Sequence, residues 1–329
     1  MRVLVTGGAG YIGSVITDEL IERGHQVTVF DNLSKGHRDA VSPAADFVEL
    51  DLLDRERLRS AVEAARVNAV IHMAASSLVG ESVTAPGRYH RNNVAASLNL
   101  LDSMVDAGVL AIVFSSTAAV YGEPSKQPIS EGDPTVPTNT YGETKRVVEQ
   151  ALAWYRHAHR IGFVSLRYFN AAGATRARGE RHDPETHLIP LVLDVAASGV
   201  GPLQVFGDDY PTPDGTCVRD YIHVADLARA HVLALEALES KAIVAETFNV
   251  GTGAGHSVRE VLETAREVSG RPIPEQVGPR RPGDPAVLIA EAHRLTQVLG
   301  WTPTCSSLPF IISSAWEWMN TTRGPARNF

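Results

Sequence analysis

A tyrosine and a lysine four residues apart, Tyr141 and Lys145 in YGETK, open a run that continues RVVEQALAWYRH. Residues i and i+4 share one face of a helix, so the phenol and the ammonium are neighbours. A cation beside a phenol favours phenolate and draws its pKa down from about 10 toward neutrality, as a general base at cellular pH requires. Taken alone, such a pair is more often ordinary helix surface. Two features upstream change that balance. Ser115, Ser116 and Thr117 put three hydroxyls at the end of the apolar run LAIVF, and in open α/β sheets ligands bind beyond the carboxyl ends of strands. The same hydroxyls also suit plain turn hydrogen bonds. The chain begins MRVLVTGGAGYIG, in which Gly8, Gly10 and Gly13 fit G-x-G-x-x-G, and Gly7, Gly10 and Gly13 fit the wider G-x-x-G-x-x-G. Either spacing lets a backbone turn sharply, lie close to a pyrophosphate and aim a helix N-terminus at its charge. A tight turn alone would select the same glycines.

These residues need a sheet to hold them. Arg2 to Thr6 reads as a strand and Tyr11 to Arg23 as a helix, with Ile12, Val15, Ile16 and Leu20 on one side. A second strand, Gln26 to Phe30, ends at Asp31, about 20 residues past the glycines; a carboxylate there accepts from an adenosine ribose and repels a 2′-phosphate. NAD is therefore favoured over NADP, with Lys35 and Arg38 as the cations an NADP reading would use. Further strand-like runs at Phe47 to Leu50, Val67 to His72, Leu110 to Phe114 and Phe163 to Leu166 alternate with helical patterns at Arg55 to Ala65 and Asn93 to Val105. Alternation of this kind predicts right-handed βαβ units: an α/β fold with a doubly wound parallel sheet, Rossmann-type. After Asn170 the texture turns to prolines and turns, as in DPETHLIP, DDYPTPDG and GPRRPGDPA. A dinucleotide-binding domain over residues 1–170 and a smaller α+β substrate lobe over 171–329 are expected, with segments near 219–250, including a helix from Tyr221 to Leu235, returning to the first.

Composition narrows the partners. The 329-residue chain is 44% hydrophobic, carries a net charge of -8 and has no block of like charges, which argues against nucleic-acid or membrane-surface binding. Two cysteines, Cys217 and Cys305, are too few for a disulfide framework or a thiolate metal site, and a cytoplasmic setting without a leader segment is expected. No apolar run reaches the 18 or so residues of a membrane span. The twelve histidines show no ligand-like spacing; His157 and His159, two apart on a helix, point to different faces, and no metal is expected.

The order TGGAGYIG, a Ser/Thr strand end and Y-x-x-x-K resembles the extended short-chain dehydrogenase/reductase family. RYFNAAGA, FGDDYPTPDGTCVRDYIHVADLA and RRPGDPA narrow the likeness to UDP-glucose 4-epimerases, along the chain to about residue 320. The resemblance implies bound NAD, with Gly7, Gly10, Tyr11, Ile12 and Gly13 at its pyrophosphate, Asp31 and Asn32 at the adenosine ribose, Asp51 and Leu52 at adenine. Met73, Ala74, Ala75, Asn92, Ser115 and Tyr168 would line the cofactor, and Lys145 would hold the nicotinamide ribose. Tyr141 and Thr117 would face the sugar, with Tyr141, Lys145 and Thr117 catalytic. Asn170, His187, Leu188, Gln204, Phe206, Arg219, Arg281, Asp284 and Leu288 would bind the UDP-sugar. Two arginines suit a diphosphate, Phe206 offers a face to uracil and Asp284 an acceptor to ribose. The resemblance also implies a homodimer through the helices Asn93 to Val105 and Tyr141 to His157, with Leu98, Leu101, Val105, Val148 and Leu152 as apolar contacts. Relatives carry a lysine near the cofactor phosphate where this chain has Ser76 and Ser77, so weaker cofactor retention is expected.

Related 4,6-dehydratases place Asp-Glu directly after the threonine and decarboxylases keep a glutamate there, because elimination needs an acid and a base beside the sugar. This chain has Ala118 and Ala119. The expected reaction is therefore C4 epimerisation of UDP-galactose to UDP-glucose through a 4-keto sugar. The alternatives are a 4-epimerase for a UDP-uronate, UDP-pentose or UDP-N-acetylhexosamine and, in another class, a non-catalytic NAD sensor.

Overall fold

The computed structural model describes residues 1–281 and 283–323. Seven parallel strands form the main sheet: β1 (Arg2–Thr6), β2 (Gln26–Asp31), β3 (Asp46–Glu49), β4 (Ala69–His72), β5 (Ala111–Thr117), β6 (Gly162–Tyr168) and, much later in the chain, β10 (Ala245–Val250). Their order, β10-β6-β5-β4-β1-β2-β3, reverses direction between β1 and β4. Ligands of open α/β sheets bind at such a switch point. The strands read as unbroken apolar runs because helices cover both faces; all four residues of β4 are buried, as are six of the seven in β5.

Helices α1 (Tyr11–Glu22), α2 (Arg55–Ala65), the short α3 (Val79–Thr84) and α4 (Pro86–Tyr89), α5 (Ala96–Asp106) and α6 (Thr140–His159) connect the strands. Helix α6 starts where the Asn139 side chain accepts from Gly142 N–H at 2.9 Å and ends where Arg160 turns left-handed, φ 62°. The helix expected from Asn93 instead opens with a π-helical turn over His90–Ala95 and becomes α-helical at Ala96. A π turn inserts an extra residue into the hydrogen-bond ladder and is common at functional sites; here it carries Asn92 and Asn93.

The smaller lobe contains β7 (Asn170–Ala172), α7 (Leu188–Ser198), β8 (Leu203–Phe206), β9 (Val218–His223), β11 (Gly255–Ser257), α9 (Val258–Ser269), β12 (Glu275–Gly278), β13 (Val287–Leu288), α10 (His293–Leu299) and α11 (Leu308–Arg323). Strand β9 pairs with β7, β11 and β13, while β8 pairs with β12. Of the segments near 219–250, helix α8 (Val224–Glu239) and β10 lie with the main sheet, whereas 219–223 belongs to the second sheet. The chain changes from strand to helix at His223, whose Nδ1 accepts from Ala225 N–H at 3.1 Å, so the helix begins at Val224 and not at Tyr221.

Two apolar clusters flank the main sheet and a third, of α7, α9 and α11 with their strands, fills the small lobe. Leu101, Val148 and Leu152, expected at a subunit interface, are 1%, 2% and 0% exposed and pack in this chain's own core beside Leu100 and Met104. Leu98 and Val105 are half-buried against the same cluster. An amphipathic stripe reads the same whether it packs within the chain or against a partner.

Candidate functional site

The residues expected at the cofactor gather along one edge. Gly7 to Gly13 follow β1, Asp31 and Asn32 end β2, Asp51 and Leu52 follow β3, Met73 to Ala75 follow β4, and Ser115 and Tyr168 sit at the ends of β5 and β6. The glycines are sterically required. A Cβ at Gly7, φ 72°, would lie 2.6 Å from Ala74 N, and one at Gly13 only 2.2 Å from Gly7 O. Gly10 begins α1 with no side-chain cap, and the amide N–H groups of Tyr11, Ile12 and Gly13 have no acceptor among the described residues. Open N–H groups at a helix N-terminus with no acidic residue in its first turn make an anion cradle. The cradle fits a pyrophosphate.

Asp31, 9% exposed, accepts from Ala9 N–H at 3.0 Å and Leu33 N–H at 2.8 Å. Burial raises its pKa, and the two N–H donors oppose the rise. Each oxygen keeps a lone pair for a ribose hydroxyl. The cations an NADP reading would need are otherwise engaged: Lys35 Nζ donates to Asp183 O at 2.6 Å, and Arg38 lies 4.4 Å over the Phe47 ring. Asn32 donates to Asp51 at 3.0 Å, tying the ends of β2 and β3 together. Ser76 knits the π turn to this edge: its N–H donates to Asn93 Oδ1 at 2.8 Å and its hydroxyl accepts from Asn92 at 3.1 Å.

Tyr141, Lys145 and Thr117 do converge, at 9%, 3% and 8% exposure. Lys145 Nζ donates to Ser115 O at 2.7 Å, and Thr117 hydrogen-bonds the Tyr141 hydroxyl. The expected direction of the Tyr141 pKa is not found. Burial pushes it up to about 12, opposed by the Thr117 hydrogen bond, while burial draws Lys145 down to about 7 against the pull of Glu149. A lysine so desolvated carries only part of a charge near neutral pH, and its nitrogen is 6.0 Å from the Tyr141 ring. Without a bound cation, Tyr141 is an acid and not yet a base. Tyr168 hydrogen-bonds Ser115 and meets the His231 ring at 5.9 Å.

The nucleotide-side residues lie on the small lobe: Gln204 and Phe206 on β8, Arg219 on β9, Leu288 on β13, Asn170 on β7, and His187 and Leu188 at the start of α7. Four of the expected residues are already paired with each other, and Gln204 is engaged elsewhere. Arg219 forms an ion pair with Asp284, Arg281 stacks 4.0 Å over Phe206, and Gln204 donates to Gln276 O at 2.9 Å. Leu288 sits in register with Arg219 and packs on a cluster that includes Ala118 and Phe169, joining this lobe to the residue after Thr117.

Two groups escaped the sequence reading. Glu149, the next i+4 residue after Lys145, accepts from Ser116 at 2.5 Å and from Arg167 at 2.6 and 2.9 Å; Arg167 also donates to Tyr121 at 3.0 Å. Extending the four-residue spacing past Lys145 was the available signal. Glu180 and His182 form the second group together with His187, which was expected at the UDP-sugar, each of the three offering a donor atom within 4.8 Å of the others. Their signal in the sequence is the doubled Glu-x-His of GERHDPETH, in which each histidine is spaced to a carboxylate and not to another histidine.

Comparison with known proteins agrees with this geometry. A UDP-glucose 4-epimerase of Halalkalibacterium halodurans is 51% identical over 320 residues, 97% of this chain and 95% of that protein. The solved UDP-glucose 4-epimerase of Brucella ovis in complex with NAD superposes with a TM-score of 0.93 at 48% identity, covering 96% of this chain and 98% of that one. That of Bifidobacterium longum in complex with NAD+ and UDP gives 0.92 at 37% identity over 98% and 99%. Residues 3–251 match the NAD dependent epimerase/dehydratase family. With a matched span that runs from β1 through β10, the anion cradle after β1 and the buried Tyr141–Lys145 pair inside it, the chain belongs to that family.

Proposed function

We propose that this protein is an enzyme that interconverts UDP-galactose and UDP-glucose by inverting C4 of the hexose, with NAD held in the cradle after β1. The observation that carries the reading is the meeting of Thr117, Tyr141 and Lys145 at the end of β5, with Ala118 and Ala119 next in the chain. Glu149, on the same helix as Tyr141 and Lys145, is bound to Arg167 and Ser116 and cannot serve an elimination. NAD bound there would serve as hydride acceptor and then donor at C4 and, in its oxidised form, would bring positive charge. Tyr141 takes the proton of the 4-hydroxyl through its phenolic oxygen; the 4-keto sugar turns over in the pocket and presents its other face, and Tyr141 gives the proton back to the C4 oxygen, so no proton is consumed. Thr117, hydrogen-bonded to that oxygen, fixes its direction. Lys145, anchored on Ser115 O, holds the ribose beside the phenol. Arg219 and Arg281 exchange their present partners, Asp284 and the Phe206 face, for the diphosphate. Formation of UDP-glucose from UDP-galactose, followed by proton NMR with and without added NAD, tests the assignment and separates it from a sensor. UDP-uronate, UDP-pentose and UDP-N-acetylhexosamine belong in the same panel.

A homodimer in a reducing, cytoplasmic setting is the state we assign. No helix among the described residues is long and apolar enough to cross a membrane, and both cysteines are free thiols. Helix α6 exposes 72% of Trp154, an aromatic surface that a partner would cover. Light scattering should give about twice the 35.4 kDa chain mass, and Trp154→Asp should lower it. A single-chain mass for the unmodified protein at micromolar concentration rejects the dimer.

Tyr141→Phe should retain UDP binding and lose turnover by about 10² to 10⁴-fold, the range of acid–base catalysis. Thr117→Val should lose less, because the phenol remains. Near-normal turnover in Tyr141→Phe would remove the mechanism.

Protonation of Lys145 should be visible in stability. Its pKa is 10.5 when free and about 7 in the fold, so between these values the unfolded chain holds a proton that the folded chain has released. Stability then rises with pH across that window, by up to about 1.4 kcal/mol per unit. Tyr141, raised from 10 to about 12, reverses the sign above pH 10, where the folded chain keeps the proton. Cofactor-free protein should therefore gain stability from pH 7 to 9 in urea unfolding, and Lys145→Met should lose that gain. Parallel slopes in the two proteins contradict the assignment.

Leu288 sets substrate size in this reading. Its side chain is a partial wall: larger than serine, less rigid than an aromatic ring. UDP-glucose and UDP-galactose should be preferred, with slow turnover of UDP-N-acetylglucosamine. Leu288→Ala should speed the acetamido sugar and leave the glucose rate little changed. Loss on both substrates, with destabilisation of roughly 2 to 5 kcal/mol, would instead mark a packing residue.

A further inference from the structure

The stretch GERHDPETH, which ends at His187 and leads into α7, repeats one local structure twice. In the first copy, Glu180 Oε1 accepts from the backbone N–H of Arg181 at 2.7 Å, that of His182 at 2.8 Å and His182 Nδ1 at 2.5 Å. In the second, Glu185 Oε1 accepts from the N–H of Thr186 at 2.6 Å, that of His187 at 2.7 Å and His187 Nδ1 at 2.7 Å. An ionised carboxylate only accepts hydrogen bonds, so each facing Nδ1 carries a proton and each neutral ring keeps its lone pair on Nε2. Neither Nε2 has a partner among the described residues. The two turns face each other, with ring centroids 5.6 Å apart. The remaining oxygen of Glu180 is 3.9 Å from His187 Nδ1, and the three side chains each offer a donor atom within 4.8 Å of the others.

We propose that Glu180, His182 and His187 bind a divalent ion of the Zn²⁺ class through one nitrogen of each imidazole and a carboxylate oxygen. Two imidazoles and one carboxylate are a donor set for zinc and its neighbours, whereas Mg²⁺ and Ca²⁺ select oxygen alone. Each imidazole is held by a carboxylate, His182 by Glu180 and His187 by Glu185, and Glu185 stands as the outer carboxylate that orients a metal-binding histidine and raises its basicity. Three protein donors leave one tetrahedral position for water or an oxyanion. Glu180 and His182 line a cavity of about 170 Å³ shared with Gly10 and Tyr11 of the glycine turn. The segment is also strapped to the main sheet domain by Arg178 to Asp18 and Arg181 to Asp39, both at 2.9 Å. An ion here closes the segment on itself where it borders the cofactor cradle and the first turn of α7. The proposal does not depend on the sugar reaction.

The test titrates chelator-treated full-length protein with Zn²⁺ and Co²⁺ alone. Calorimetry should give one equivalent per chain, and Co²⁺ should develop the intense visible bands of a low-coordinate nitrogen and oxygen site. His182→Asn and Glu180→Gln should each weaken Co²⁺ binding at least tenfold. Glu185→Gln leaves all three donors in place and should still weaken it by about tenfold, as loss of an outer carboxylate does. His157→Asn on α6 should change nothing, which separates this site from surface histidines. Circular dichroism of each variant reports folding; should His182→Asn unfold, Glu185→Gln and the Co²⁺ spectrum of the unmodified chain decide. Binding well below one equivalent, an octahedral aquo-type Co²⁺ spectrum, or equal affinity in folded His182→Asn overturns the proposal.

Discussion

Burial of one ammonium organises the centre of this protein. Lys145 sits at 3% exposure under the carboxyl end of β5, where it donates to Ser115 O at 2.7 Å. A cation so desolvated is costly unless something nearby balances it. Glu149, one turn further along α6, pulls the Lys145 pKa upward against burial. Tyr141, Lys145 and Glu149 thus form a ridge at four-residue spacing in which phenol, ammonium and carboxylate follow one another along a single helix face. The ridge requires α6 to lie flat on the end of β5. That constraint fixes the cap at Asn139 and the close approach at Gly142, where a Cβ would be 2.4 Å from Ala119 O.

The carboxylate that balances the lysine also holds the strand end. Glu149 takes Ser116, the residue between the lysine's anchor and Thr117, and it pairs with Arg167 on β6 at 2.6 Å. Arg167 passes the network to Tyr121, which donates to Asn249 on β10 at 2.7 Å. Four elements from distant parts of the sequence are therefore locked around Ser115–Thr117 by groups that are all partnered. A buried polar network of this kind holds geometry only while every member is satisfied. It places the Thr117 hydroxyl through β5, α6, β6 and β10 at once, so its position does not depend on the flexibility of the turn after it.

Much of this was legible because the governing rules are local. Strand-to-helix glycine spacing, the alternation of apolar runs with amphipathic ones and the i+4 pair depend on residues close in sequence, and each is where spacing put it. What was not legible depends on the third dimension. The sequence of Tyr221 to Leu235 carries a helical pattern from its start, yet Tyr221 to His223 are captured by the second sheet through pairing with Asn170 to Ala172. Leu101, Val148 and Leu152 form the stripe expected of an interface and are spent on the core. The direction of the Tyr141 pKa was misjudged because the pair was weighed as charges in water; once both groups are buried, desolvation outweighs their mutual attraction and lowers the charge on the lysine that was to do the work.

The nucleotide side poses the converse problem, too many charges and not too few. Arg219 with Asp284 and Arg281 with Phe206 form a set that is closed on itself in the free chain. Asp284 is 31% exposed and Arg219 12%, so the pair is partly solvated and its rupture is less costly than that of a buried ion pair. A diphosphate offers the guanidinium two forked contacts and a higher charge than one carboxylate does. Displacement then releases Asp284 as an acceptor at the same moment that Arg219 is taken from it. In the function proposed above, diphosphate capture would thereby be coupled to the freeing of a hydroxyl acceptor, and a ligand lacking the diphosphate would meet an arginine already neutralised and an aspartate already occupied.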